Sequence, residues 1–480
     1  MTQPGKDEKL MAALMGKLYQ ILTGGDETVP KAKNNFIAWC APGIPFAEED
    51  LAFATKGIAG KTGDESRQLL AQAADFSRLV NLIPDASGVY DKQKQQTTFE
   101  NDGRNLWNVY SDVLKFSEVA SSELTPDQQD KIKKFRSLLT TTKKVKDLIT
   151  DEEKEVPEDG PILKAYNQAM SNYDDAVTEY NNKRISAMNS DNSMLVQDWA
   201  LNASTYRRRV KTAMDAWTSS GYKNDVEQMQ AFIAQVTQRD MTLLKGDLED
   251  KFAKAILTDL VSGDEFYMTS FLPGNFAQNK NGWTKFDFTE ANVSQYERSE
   301  TNGWDVGVSV RYGLFGGSFS STGEIGSTQA SLDTSDFKMS FSLAQVPISR
   351  PWFSPEFLVN TAWRFAGHQS GRKLSNGAKP PEGELVAYPT TAIFVRDVII
   401  DFKELHKNES TYTQSIGTKA SVSYGPFSLN ASYNRSVGER KFNSKMGSQG
   451  LEVPGLQLIG FKCAILPMSP NPNAAVQKWQ

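Results

Sequence analysis

Apolar residues in this chain recur every three or four positions up to about Leu260 and every second position after it, and no other feature limits the possible folds so tightly. The first period belongs to helices that bury one stripe, the second to strands that bury one face. Val196, Trp199, Ala203, Tyr206, Val210, Ala213 and Trp217 make one helical stripe; Leu163, Tyr166, Met170, Tyr173, Val177 and Tyr180 make another. A third runs from Val226 through Met229, Ile233, Val236, Leu244, Leu248, Phe252 and Ile256 to Leu260. It predicts a single helix of about forty residues, far beyond the globular mean. Thr125-Pro126-Asp127, Gly160-Pro161 and Asp191 to Ser193 supply start signals, through a capping hydroxyl or a proline at the first helical position. Short polar connections near 190 and 220 make successive helices antiparallel neighbours.

Ahead of this region, helices are expected to about Leu22 and from Asp64 to Leu82. FIAWCAPGIPF, Phe36 to Phe46, lies between them; its prolines and glycine make it a buried extended segment rather than a helix.

Beyond 262, Val306, Val308, Val310, Tyr312 and Leu314 alternate with small and polar residues, and Phe337, Met339, Phe341 and Leu343 repeat the pattern. VSVRYGLFGGSFSS from Val308 is echoed by ASVSYGPFSLNASY from Ala420, so Tyr312 matches Tyr424 and Phe315 matches Phe427. In the second copy Ile416, Ala420, Val422 and Tyr424 lead into Gly425-Pro426, and Phe427, Leu429, Ala431 and Tyr433 return on the same face. Each copy is followed by an apolar-Pro-apolar-Ser tail, at Val346 to Ser349 and at Leu466 to Ser469. Two related β units, 296–351 and 408–470, follow from this, because a lone hairpin cannot bury its apolar face. The insertion between them is expected to hold a short helix from Glu356 to Phe365 and a strand from Ala392 to Phe402.

The expected fold class is α+β. A packing segment (1–103) precedes an elongated antiparallel helical bundle (104–265), followed by a Ser/Gly-rich, sandwich-like antiparallel β domain (266–480) with a duplicated hairpin.

Charge and chemistry narrow the function. With 53 basic and 58 acidic residues the chain lacks the basic field that nucleic-acid binding needs. Cys40 and Cys463 stand far apart and outside zinc spacing, so both read as buried thiols, and no metal or cofactor is expected. His368 and His406 read as surface residues among polar neighbours. Gly313 to Gly323 is glycine-rich without the Gly-Lys-Ser/Thr of a phosphate loop. The triplet Arg207-Arg208-Arg209 reads as a solvated helix face or as a seat for an anion or acidic partner. Trp283 and Trp304 follow Asn-Gly turns and suit hairpin packing, or stacking on a sugar or headgroup.

No stretch reaches the roughly 18 to 20 apolar residues of a spanning helix, and the charged N-terminal run lacks a secretory core, which predicts synthesis in the cytoplasm. Residues 415 to 434 alternate as membrane-spanning strands do, and also as sandwich strands do. In layout alone the chain resembles secreted pore-forming toxins; no motif places it in a family. The leading expectation is a non-enzymatic, self-associating protein acting on membranes, with itself and a lipid membrane as partners. Its candidate hairpin residues are Val306, Val308, Val310, Tyr312, Phe315, Ile416, Val422, Tyr424, Phe427, Leu429 and Tyr433. The alternative is a structural or assembly subunit that touches no lipid, and the third reading is an enzyme or carbohydrate-binding module.

Overall fold

The apolar segment NFIAWCAPGIPF is a strand, β1 (Asn35–Phe46), and it lies inside the principal sheet, paired on both sides. The computed structural model describes residues 6–23, 35–58, 62–89, 96–99, 101–120, 126–146, 153–189, 193–237, 241–260, 262–279, 282–293, 335–407, 421–435, 438–476 and 478–480. A helix-rich N-terminal region leads into a C-terminal region of mixed, mainly antiparallel sheet that does not close into a barrel.

Eight described strands form the principal sheet. β10 (Ser270–Phe271) and β11 (Thr284–Thr289) flank the outer side of β12 (Lys338–Ser349). β14 (Ala387–Asp401), β19 (Gly450–Ile465), β1 and β3 (Gln96–Thr98) follow in that order, and β18 (Lys445–Gly447) folds back onto β19. β1 runs antiparallel to β19, with Phe36 opposite Cys463, and parallel to β3. The expected sequence of helices first and strands only after 262 is therefore corrected: a strand from the first fifty residues completes a sheet whose other long strands lie beyond 337.

Both faces of this sheet are covered, which is why β1, β14 and β19 read as nearly continuous apolar runs. Strand alternation sends Phe36, Ala38 and Cys40 to one core and Ile37 and Trp39 to the other. Over the first core lie α2 (Phe53–Lys56), α3 (Gly63–Val80), α4 (Leu106–Phe116) and Trp352 to Phe365. Over the second lie α1 (Lys6–Thr23) and a three-stranded sheet of β15 (Ser421–Tyr424), β16 (Phe427–Arg435) and β17 (Gly438–Asn443). Each large apolar side chain buried in these cores contributes about 1.5–3 kcal/mol.

The small sheet docks through a polar clasp. Ser428 N donates to Gln457 Oε1 (2.7 Å), Gln457 Nε2 donates to Ser428 O (3.0 Å), and Ser428 Oγ donates to Gly43 O (2.5 Å). Gly43 sits where β1 shifts register; a Cβ there would lie 2.3 Å from Pro426 O. Gly425 turns the hairpin at φ +57°, close against Met11 of α1.

Four two-stranded ribbons decorate the body: β2 (Leu82–Pro84) with β4 (Asn101–Asn105), β5 (Ser117–Val119) with β13 (Trp363–Phe365), β6 (Thr140–Lys146) with β7 (Glu153–Asp159), and β8 (Ile256–Thr258) with β9 (Glu265–Tyr267). The helical layer is α5 (Pro126–Leu139), α6 (Pro161–Asn189), α7 (Ser193–Ser219), α8 (Lys223–Thr237) and α9 (Met241–Lys254).

Two further expectations are corrected here. The forty-residue helix stops short, at Lys254, and its described spans serve different cores: Val226, Met229 and Ile233 of α8 pack with α5 and α6, whereas Met241, Leu248 and Phe252 of α9 pack into the body; residues 238–240 between them lie outside the described residues. Ile256 belongs to β8. The helix expected from Glu356 to Phe365 spans only Pro355–Leu358, after which Trp363 and Phe365 point inward from a strand with Arg364 outward.

Candidate functional site

The antiparallel pair α6 and α7 is built from the two aromatic stripes. Tyr166 and Tyr173 lie 5.4 and 5.6 Å from Trp217, Tyr180 lies 5.4 Å from Trp199, and Trp199 stacks on Tyr206 at 6.4 Å. Proline at the first position starts α6, and α7 begins at Ser193. Asp198 ties the pair together by accepting from Asn202 Nδ2 (2.8 Å), Lys183 Nζ (3.1 Å) and Tyr206 Oη (3.0 Å). These bonds, Asn202 first, hold its carboxyl below the usual aspartate value, and the bond to Asp198 raises Lys183. Arg209 pairs with Glu179 at 2.7 Å.

One face of α7 is exposed among the described residues. Met194 is 73% exposed and Leu201 79%, seven residues apart and therefore on the same side of the helix. Val196, expected at the head of the buried stripe, is 46% exposed, because the end of α6 opposite it turns Ile185 to the second core. Between the two helices runs an open groove of about 290 Å³ whose floor is Ala169, Ala213 and Ala216 and whose rim carries Arg208 and Thr212. Of the arginine triplet, Arg208 and Arg209 both line this groove, and Arg209 is also engaged in the ion pair with Glu179.

The sequence-predicted hairpin residues divide. Val306, Val308, Val310, Tyr312, Phe315 and Ile416 lie outside the described residues, as does the first copy of the repeat. Val422 and Tyr433 occupy β15 and β16, in register with Asn430 and Arg440. Tyr424, Phe427 and Leu429 are fully buried in the second core, against Phe337 and Phe341. The tails differ in setting: Val346 to Ser349 closes β12, whereas Leu466 to Ser469 follows the end of β19.

The membrane expectation is corrected by these placements. Among the described residues no helix is long and apolar enough to cross a membrane, and the side chains proposed to meet lipid at Tyr424, Phe427 and Leu429 are instead core. Pore formation and a toxin role drop out with it.

The buried polar groups are structural in their geometry. Arg350 donates from Nε to Asn81 Oδ1 (2.6 Å), from Nη1 to Pro389 O (2.6 Å) and from Nη2 to Val80 O (2.8 Å), pinning the end of α3 to β14. Burial lowers its pKa to about 9, still above neutrality, so the guanidinium stays charged and is held by carbonyl oxygens alone. Cys40 and Cys463 are free and buried as expected; burial pushes the Cys40 thiol up to about 12 and raises Cys463 further, which keeps both protonated. Among the described residues no group of three His, Cys, Asp or Glu side chains is arranged to hold a metal ion. Trp283 packs beside Phe276 under the Arg396 guanidinium; Trp304 lies outside the described residues.

No known family model matches the chain, and no curated protein or solved structure is detectably similar to it.

Proposed function

We propose that this chain is a non-enzymatic structural subunit that associates with copies of itself through the outer face of α7. The observation that carries the reading is the solvent exposure of Leu201, with Met194 exposed on the same side, on a helix pair whose opposite face is a packed aromatic core. Large apolar side chains left in water beside an apolar groove mark an interaction surface.

The groove supplies the complement. Leu201 and the Ala213 to Ala216 floor lie on one helix, about 18–22 Å apart at the α-helical rise. An isologous pairing then lets Leu201 of each copy enter the groove of the other, with the two-fold axis near Arg208. Small residues in the floor admit close approach of the second helix.

Sedimentation velocity across a concentration series tests this. The parent chain is expected to form a dimer or larger species, and Leu201→Glu and Ala216→Trp are each expected to shift it to monomer without lowering its melting temperature. A parent that stays monomeric at every concentration ends the reading.

A further inference from the structure

A second cleft lies between the helical layer and the body, with a volume of about 490 Å³. That is within the usual size of small-molecule sites, about 300–1,000 Å³. Its floor is apolar and drawn from four separate elements: Leu163 of α6, Ile233 of α8, Leu244 of α9 and Phe357 of the short helix Pro355–Leu358.

Two opposite charges stand on its rim. Arg136 comes from α5 and has no hydrogen-bond or ion-pair partner among the described residues. Glu356 accepts a hydrogen bond from Ser354 Oγ at 3.1 Å and has no cationic partner among the described residues. Its negative field reaches inward, adding to the burial that raises Tyr110 and Tyr388. The two rim charges do not pair with each other, so a ligand carrying both signs satisfies them together.

We propose that this cleft binds a short apolar peptide with free termini, its carboxylate at Arg136, its ammonium at Glu356 and its side chains on the Leu163, Ile233, Leu244 and Phe357 floor. The apolar floor supplies most of the affinity, because ion pairs at an exposed rim are individually weak. The charges select: a ligand lacking one terminus leaves one rim group without its partner. Binding joins α5 to the body helix at Glu356 and therefore stabilises the contact between the two layers. This site is independent of the α7 face, so neither proposal depends on the other.

The test uses the full chain and isothermal titration with four probes: leucyl-phenylalanine, its N-acetyl form, its C-terminal amide and decanoate. Leucyl-phenylalanine is expected to bind and to raise the melting temperature, and each capped form is expected to bind about fivefold more weakly, the size of one exposed ion pair. In Arg136→Gln the amide and the free peptide should bind alike; in Glu356→Gln the N-acetyl and free peptides should bind alike. Both residues are exposed, so both variants are expected to melt with the parent. No binding of the dipeptide at millimolar concentration, equal binding of capped and free forms to the parent, or preference for decanoate each overturns the proposal.

Discussion

The sheet body and the α6–α7 pair solve the same problem to different degrees. In the body the central strands β1, β14 and β19 are packed on both faces, and Trp39, Ile393, Phe394 and Phe461 are wholly buried. In the helix pair one stripe is buried, Tyr180 to 1% and Trp217 to 8%, while the far side of α7 exposes Leu201 and Met194. A sheet packed on both faces, with exposed apolar side chains such as Leu272 and Met468 only singly around it, and a helix that holds Met194 and Leu201 in water on one side teach where stability ends and association begins. The largest expected effect follows directly. Trp39→Ala should cost about 3–5 kcal/mol and threaten folding, whereas Trp199→Ala, at a partly buried site, should cost about 1–2 kcal/mol. Urea unfolding of the two variants measures both; equal losses would erase the distinction.

The next effect sharpens the comparison inside the body. Gly43→Ala places a methyl 2.3 Å from Pro426 O and 3.3 Å from Gln457 Oε1, where backbone and clasp have no room. The small sheet must shift away, at about 1–3 kcal/mol. Near-ultraviolet circular dichroism should change with Tyr424 and Phe427 loosened, while the signal from α6 and α7 persists in the far ultraviolet. A variant with parental stability and spectrum would show that the clasp does not fix the small sheet.

Much of this architecture was legible because single residues carried it. Prolines at 42 and 45 excluded a helix from Phe36 to Phe46, Pro126 and Pro161 marked the starts of α5 and α6, and the aromatic stripes told α6 from α7. The partner of β1 was not legible, since pairing Phe36 with Cys463 is decided by shape across more than four hundred residues. That α8 and α9 serve different cores was hidden for a different reason. Both are amphipathic, and a stripe records that a helix is buried but not in which core. Of the candidate site, Leu201 stands off the Trp199 and Tyr206 stripe and was not legible, because a single exposed leucine carries no signal; the groove beside it needs two helices to exist.

A smaller effect separates the regions by pH. Burial raises Tyr110, Tyr388, Cys40 and Cys463 in the body. Each group holds its proton longer folded than unfolded, so the stability it contributes is complete below the unfolded values of 9.0 for thiol and 10.0 for phenol. It is lost as pH climbs from there toward the folded values. Melting temperature should therefore fall from about pH 9 upward, and the double variant Cys40→Ala, Cys463→Ala should delay the onset toward the phenol range. An unchanged onset would mean that the thiols do not contribute to the alkaline loss.

The smallest effect bears on the α7 face, and its sign is informative. If two copies pair with Leu201 in the opposite groove, the axis near residue 208 brings the two Arg208 side chains together, and like charges at short range oppose association. Salt screens that repulsion while leaving apolar burial intact, with a Debye length of about 10 Å at 0.1 M falling to about 3 Å at 1 M. Association should thus strengthen as sodium chloride rises, the reverse of an interface held by ion pairs. Arg208→Gln should associate more tightly than the parent at low salt and lose most of the salt dependence, a change of about two- to fivefold in the dissociation constant for a charge pair at an exposed site. Sedimentation equilibrium at two ionic strengths reads both. Weaker association with salt, or an Arg208→Gln variant that dissociates, would place the contact at a charge-paired surface and move it off the Leu201 face.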